Sequence, residues 1–297
     1  MNVGKILTFI DLNSESRRSL ERTAWLAEKF AADVEIFACK YDQYLVADEA
    51  KSNVVNADRE TIEKLARPIE SAAKSVSVDV EWAKSVDDAI LEKIEKSRPD
   101  LVVKDTHYHS LLRRTLLSNT DWTLIGKCPV PLLLVKDRDV PANPAVVAAV
   151  DPTHQHDKPA ALDRRILTFA KYFADRTNGH THAVHVVDTA GVLIASSTLA
   201  APTAGPAPTV DSSMIKELVS SARKSFLRLL SEESIDEESG RVLEGEVATQ
   251  LARTADELNA DFVLMGAVAR GFLENAFVGH TAQRVLDRLG CDLIVVK

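Results

Sequence analysis

The chain has 297 residues, 45% of them hydrophobic and 27% charged, and only 11 Gly and 11 Pro, a profile that excludes collagen-like and disordered classes. At roughly 150 residues per domain this length predicts two domains, each able to bury its own core. Acidic residues outnumber basic ones by 44 to 36 and no stretch concentrates Lys and Arg, which disfavours a nucleic-acid-binding surface.

The first apolar run, Ile6–Ile10, is closed by Asp11 before a signal-peptide core can form, and it reads as a strand. No later run approaches the roughly 20 apolar residues that span a bilayer. A helix follows over Ser16–Ala31, with Leu20, Ala24, Ala27 and Ala31 at helical spacing. Further strands are expected at Val34–Cys39, Val78–Trp82, Leu101–Val103 and Leu132–Val135. The segment Asp137–Pro144, charged and then Pro-Ala-Asn-Pro, opposes both strand and helix and marks a linker.

Beyond it the order repeats. Strands are expected at Val146–Val150, His182–Val187, Arg241–Glu244, Phe262–Met265 and Leu293–Val296, and a helix over Leu162–Phe173 carries Leu162, Ile166, Phe169 and Phe173 inward. Ala190–Thr209, rich in Ala, Thr, Pro and Gly, reads as a loop leading into a helix over Asp211–Glu232. The two halves align without a gap at their C-terminal parts, where Asp261 falls on Asp100, Thr281 on Thr120 and Lys297 on Lys136. The fold class is therefore α/β, with two tandem Rossmann-like domains at 1–138 and 145–297 and helices covering both faces of each parallel sheet.

Chemistry-bearing motifs are few. Cys39, Cys128 and Cys291 are odd in number, far apart and form no C-x-x-C pair, which points to buried thiols in a reducing cytoplasm. The pairs His107/His109, His154/His156 and His180/His182 offer metal-ligand types, with Asp157 or Asp188 beside the latter two pairs, but the first two pairs fall on expected loops, so no metal site is assigned. No nucleophile elbow, H-E-x-x-H or kinase motif occurs. What stands out is Gly266-Ala-Val-Ala-Arg-Gly271 after a strand, then Gly279-His280-Thr281 opening a helix to about Leu289. A glycine at a strand's carboxyl end and another at a helix N-terminus make a cradle for an anion, though neither a Walker A loop nor G-x-G-x-x-G is present.

With Ile10-Asp11, Val150-Asp151, His185-Val-Val-Asp188, Asp261-Phe-Val-Leu-Met-Gly266 and Cys291-Asp-Leu-Ile-Val-Val-Lys297, the chain resembles the universal stress protein family. The match is to its tandem two-domain type, similar to the E-type proteins of Gram-negative bacteria. The resemblance implies adenine nucleotide alpha hydrolase-like domains, each a five-stranded parallel sheet in the order 3-2-1-4-5. It also implies a nucleotide site at the carboxyl ends of strands one and four, which is where the topological switch point of such a sheet places a ligand.

Family members that bind ATP carry G-x-x-G, nine residues, then G-(S/T). Laid over this chain, that pattern falls on Gly266, Ala269, Gly279 and His280, so two of its four positions depart, with Thr281 adjacent to the second departure. Asp151 and Val186 are expected at the nucleoside end, Gly266, Ala269, Arg270, Gly279, His280 and Thr281 at the phosphates of ATP or another adenine nucleotide with magnesium, and Met265 in the same site. In the first half Asp105, Tyr108, Ser118, Asn119 and Asp121 replace the loop, every glycine is lost, and no ligand is expected.

The expected function is a non-enzymatic stress-response regulatory or binding protein. A slow ATPase or self-phosphorylating protein is one alternative, and a carrier of lipid or another apolar small molecule, with Ala190–Thr209 as its lid, is the other. The two domains are expected to pair as an intramolecular pseudo-dimer, and two chains to form a homodimer.

Overall fold

Valine-, isoleucine- and leucine-rich runs bounded by polar turns form buried parallel strands, and the stretches between them form amphipathic helices. A computed structural model describes residues 2–12, 17–40, 47–109, 114–116, 118–153, 161–189, 212–266, 285 and 288–297. Two compact units are present. One is drawn from Met1–Ala142 and Gly290–Lys297, the other chiefly from Asn143–Gly266.

In the first unit the order is β1 (Lys5–Phe9), α1 (Arg18–Phe30), β2 (Asp33–Lys40), α2 (Asp48–Glu70), β3 (Val76–Trp82), α3 (Val86–Ser97) and β4 (Leu101–Asp105). The short strands β5 (His107–His109) and β6 (Arg114–Leu116), then α4 (Asn119–Lys127) and β7 (Leu132–Val135), complete it. The parallel ladder runs β3-β2-β1-β4-β7, which is the order 3-2-1-4-5. Alternation along β2 assigns the helices to faces. Val34, Ile36 and Ala38 pack with Leu20 and Ala27 of α1 and with Ile62, Ala66 and Ile69 of α2. Glu35 and Phe37 meet Lys93 of α3, whose ammonium lies 5.5 Å from the Phe37 ring centre.

That second face carries a charge network. Glu35 pairs with Lys5 at 2.8 Å and Lys93 at 2.5 Å and accepts the Ser97 hydroxyl, while Lys93 reaches Asp79 at 2.7 Å. Burial alone would raise the Glu35 pKa, but hydrogen bonds from Lys5, Lys93 and Ser97 outweigh it and bring the carboxyl down to about 2. A depressed folded value adds stability above the ordinary value of 4.5 and loses it as the pH falls toward 2. Urea unfolding of the protein should therefore become steeply easier with acid across that window. Lys93→Met should flatten the dependence, and an unchanged acid slope would contradict this assignment.

The second unit runs β8 (Ala145–Ala149), α5 (Ala161–Thr177), β9 (His180–Val187), α6 (Ser212–Glu232), β10 (Gly240–Glu244), α7 (Val247–Glu257) and β11 (Phe262–Gly266). Its described ladder is β10-β9-β8-β11, all parallel. Phe169 and Phe173 of α5, Phe226 of α6 and Phe262 are fully buried, with Phe173 and Phe262 in edge contact at 4.8 Å. Asp100 and Asp261, matched by the sequence repeat, do the same work. Asp100 accepts the Gly4 and Lys5 N–H groups at the start of β1, and Asp261 accepts the Ala145 N–H at the start of β8.

The last strand, β12 (Asp292–Val296), pairs antiparallel with β7 (Leu293↔Leu134, Val295↔Leu132). β7 is a continuous apolar run, and an unpaired edge of that kind exposes backbone donors and acceptors that β12 satisfies. Among the described residues no helix is long and apolar enough to cross a membrane.

Candidate functional site

The carboxyl ends of β8, β9 and β11 form the candidate site of the second unit. Ladder register carries Ala149 opposite Val184 and Met265, so Asp151 lies level with Val186, and Gly266 with Val150, along one sheet edge. Four of the expected site residues, Asp151, Val186, Met265 and Gly266, thus share that edge. Ala269, Arg270, Gly279, His280 and Thr281 lie outside the described residues, as do the Ala190–Thr209 loop and the His154/His156 pair.

Asp151 is held on several sides. Its N–H donates to Asp163 Oδ1 of α5 at 2.9 Å, and its Oδ1 accepts the Thr153 hydroxyl at 2.7 Å. Its Oδ2 is buried and has no hydrogen-bond partner among the described residues. A buried carboxylate oxygen left so is costly and calls for a donor. Pro152 and Asp163 also line a cavity of about 130 Å³ with Arg164, Arg228 and Glu232, below the roughly 300 Å³ of a small-molecule pocket. It is a cleft between α5 and α6.

Gly266 has a packing reason of its own. A Cβ there would stand 2.5 Å from Leu162 Cδ2 and 3.0 Å from its Cγ, because α5 lies directly on the end of β11. Gly266→Ala should cost about 1 to 3 kcal/mol by overpacking a buried leucine. Urea denaturation at neutral pH measures it, and an alanine variant as stable as wild type would show that Leu162 yields freely.

The corresponding edge of the first unit is occupied by the chain itself. Asp105, at the end of β4, accepts the Ser19 N–H and the Ser19 hydroxyl, both at 2.7 Å, and so takes the anion position at the N-terminus of α1. Next to it Lys104 donates to the Asp105 carbonyl and forms an ion pair with Asp121 at 2.7 Å, both side chains almost fully buried. Asp121 and Ser118 form a reciprocal capping box on α4, the helix-starting role that its place in the sequence suggests. Sequence reasoning saw two carboxylates where phosphates would lie. It missed that Asp105 caps a helix 86 positions away in sequence, which no local pattern signals.

Other chemistry-bearing residues are accounted for. Cys128 and Cys291 are buried and Cys39 is partly so; burial pushes all three thiols up, to about 11, 12 and 12 respectively, away from the reactive thiolate. His180 and His182 meet edge to face at 5.2 Å on β9, and burial, with His180 and Arg241 nearby, lowers the His182 pKa. Among the described residues no three His, Cys, Asp or Glu side chains are grouped as metal ligands.

Comparison with known proteins fits this geometry. The family model described as "Universal stress protein family" matches residues 2–136 and again 145–297. Universal stress protein E of Salmonella typhi is 28% identical over 98% of this chain and 93% of its own length, and that of Escherichia coli K12 is 27% identical over the same shares. A crystal structure of a protein of unknown function from Pseudomonas aeruginosa PAO1 superposes with a TM-score of 0.75 at 21% identity, covering 99% of this chain and 92% of that one. A universal stress protein from Archaeoglobus fulgidus superposes with a TM-score of 0.69 at 17% identity, covering 99% and 98%.

Proposed function

Because the chain belongs to the universal stress protein family through both of its halves, we propose that it is a binding and regulatory protein whose second domain takes one adenine nucleotide. The observation that carries this reading is Asp151 Oδ2, a buried carboxylate oxygen at the switch-point edge with no described donor, suited to a ribose hydroxyl. Val186 and Met265 border it. Gly266, Ala269, Arg270, Gly279, His280 and Thr281 serve the phosphates, and magnesium comes with the phosphates rather than in a protein cage. The first domain stays empty, since Asp105 already fills its anion position.

No turnover is needed for this role. Phosphoryl transfer requires a positioned metal, cationic stabilisation and an oriented nucleophile, and the loop sequence supplies Arg270 as its only cation. ATP hydrolysis should stay below about one turnover per hour, against about 10 per second for a typical enzyme. Native mass spectrometry of the protein as isolated tests the ligand class. A bound adenine nucleotide supports this reading, whereas a bound acyl chain would replace it with the apolar carrier.

A further inference from the structure

Resting on the reading that Asp151 receives the nucleoside end of a ligand, we propose that His185 is the residue that positions Asp151. His185 lies on β9 with 1% exposure, and its ring stacks on Phe226 of α6 at 6.1 Å. Its Nδ1 is 3.1 Å from the Val150 carbonyl oxygen and 4.0 Å from Asp151 Oδ1. A carbonyl only accepts, so Nδ1 carries the proton and donates.

The peptide group joining Val150 to Asp151 is therefore gripped at both ends. Its carbonyl accepts from His185 and its N–H donates to Asp163. With that plane fixed, the Asp151 side chain leaves in a set direction, Thr153 takes Oδ1, and Oδ2 is left for a donor. Pre-set acceptors bind better than mobile ones because less freedom is lost on binding.

The fold itself does not demand this histidine. In the first unit Ile10 donates to the Phe37 carbonyl as Val150 donates to that of Val184, and this equivalence puts Ala38 at the position of His185. Asp11 follows Ile10 there just as Asp151 follows Val150, with an alanine in place of the imidazole. The two repeats thus share strand and aspartate, and the imidazole donor stands only in the second.

The test uses the full chain and ATP as probe. His185→Asn places an amide N–H at the position of Nδ1, and His185→Phe keeps the ring over Phe226 without a donor. Calorimetric titration should show ATP bound about tenfold more weakly by the Phe variant and within about threefold of wild type by the Asn variant. In an Asp151→Asn background the Phe change should add less than about twofold, since the two residues act through one another. Equal affinity of the Phe variant and wild type, or an undiminished effect in the Asp151→Asn background, would overturn the assignment.

Hydrogen exchange of the Asp151 amide in ligand-free protein separates this inference from the reading beneath it. The Phe variant should exchange at least about tenfold faster and the Asn variant at the wild-type rate. If wild type fails to bind ATP, the nucleotide reading falls, and the exchange rates alone decide whether His185 holds Asp151. Identical rates in all three proteins would end the proposal.

Discussion

Replacing Arg22 with Met should destabilise the first unit by about 3 to 5 kcal/mol at pH 8, the cost of leaving a buried charge without its partner. Arg22 of α1 and Asp292 of β12 meet at 2.6 Å with 6% and 0% of their side chains exposed. Asp292 also accepts the Lys136 N–H at 2.8 Å, and Arg22 donates to the Arg138 carbonyl, so the pair ties α1, β12 and the chain after β7 together. Such a pair adds little net stability, because desolvation offsets the attraction, but removing one member exposes the whole penalty. Adding Asp292→Asn to the Met variant should recover most of the loss, since Asn still accepts the Lys136 N–H.

The pH dependence follows from Asp292. Burial raises its carboxyl from 3.8 to about 6 despite Arg22, the Lys136 N–H and Arg138, all of which lower it. A raised folded value means that the folded state holds the proton more tightly. That contribution is complete below 3.8 and is lost as the pH rises through about 6. Without the guanidinium the folded value climbs further, so the deficit of Arg22→Met should be larger at pH 8 than at pH 5. Urea unfolding of both proteins at the two pH values measures it, and a deficit under about 1 kcal/mol, or one independent of pH, would contradict the account.

A second large effect separates the two domains. Gly279→Asp places a carboxylate where the second domain's helix N-terminus is expected to meet phosphate, and like charges about 4 Å apart repel by about 1 to 4 kcal/mol, or about fivefold to a thousandfold in affinity. Asp105→Ala should leave ATP affinity within about twofold, because its carboxylate serves α1 rather than a ligand. It should cost stability instead, about 1 to 2 kcal/mol for a lost helix cap. Calorimetry and urea unfolding of both variants read the two effects separately. An Asp105→Ala variant that gains a second ATP site would show that the first domain is blocked by that carboxylate alone.

Much of this architecture is legible in the sequence because parallel strands buried on both faces read as unbroken apolar runs, such as Leu132–Val135 and Phe262–Met265. The aspartates closing β1 and β8 mark the repeat. Helix α2 is not legible for a physical reason: it is long and polar, holds Pro68, and fully buries only Ile62, Ala66 and Ile69, a sparse stripe for its length. The hairpin of β5 and β6 is three residues a side, below what alternation can establish. The antiparallel seating of β12 on β7 was not legible either, since apolar composition places a strand in a sheet without giving its direction.

The candidate site divides along the same line. Asp151 and Gly266 stand out by position, one as the acid that follows the apolar run of a strand and the other as the glycine that closes one. His185 could be seen only as part of a motif, because its partner is a backbone carbonyl that any residue would supply. Arg22 does leave a signal in the sequence. It sits one turn from Leu26 and three residues from Ser19, on the inward face of α1, and an arginine on such a face usually has a buried acid to meet.

Counting ATP sites tests most directly the claim that one domain binds and the other supports. Isothermal titration of the full chain with ATP and magnesium should give one site per chain, weakened at least about fivefold in Gly279→Asp and kept within about twofold in Asp105→Ala. Two sites per chain, or one site whose affinity Gly279→Asp leaves unchanged, would contradict it.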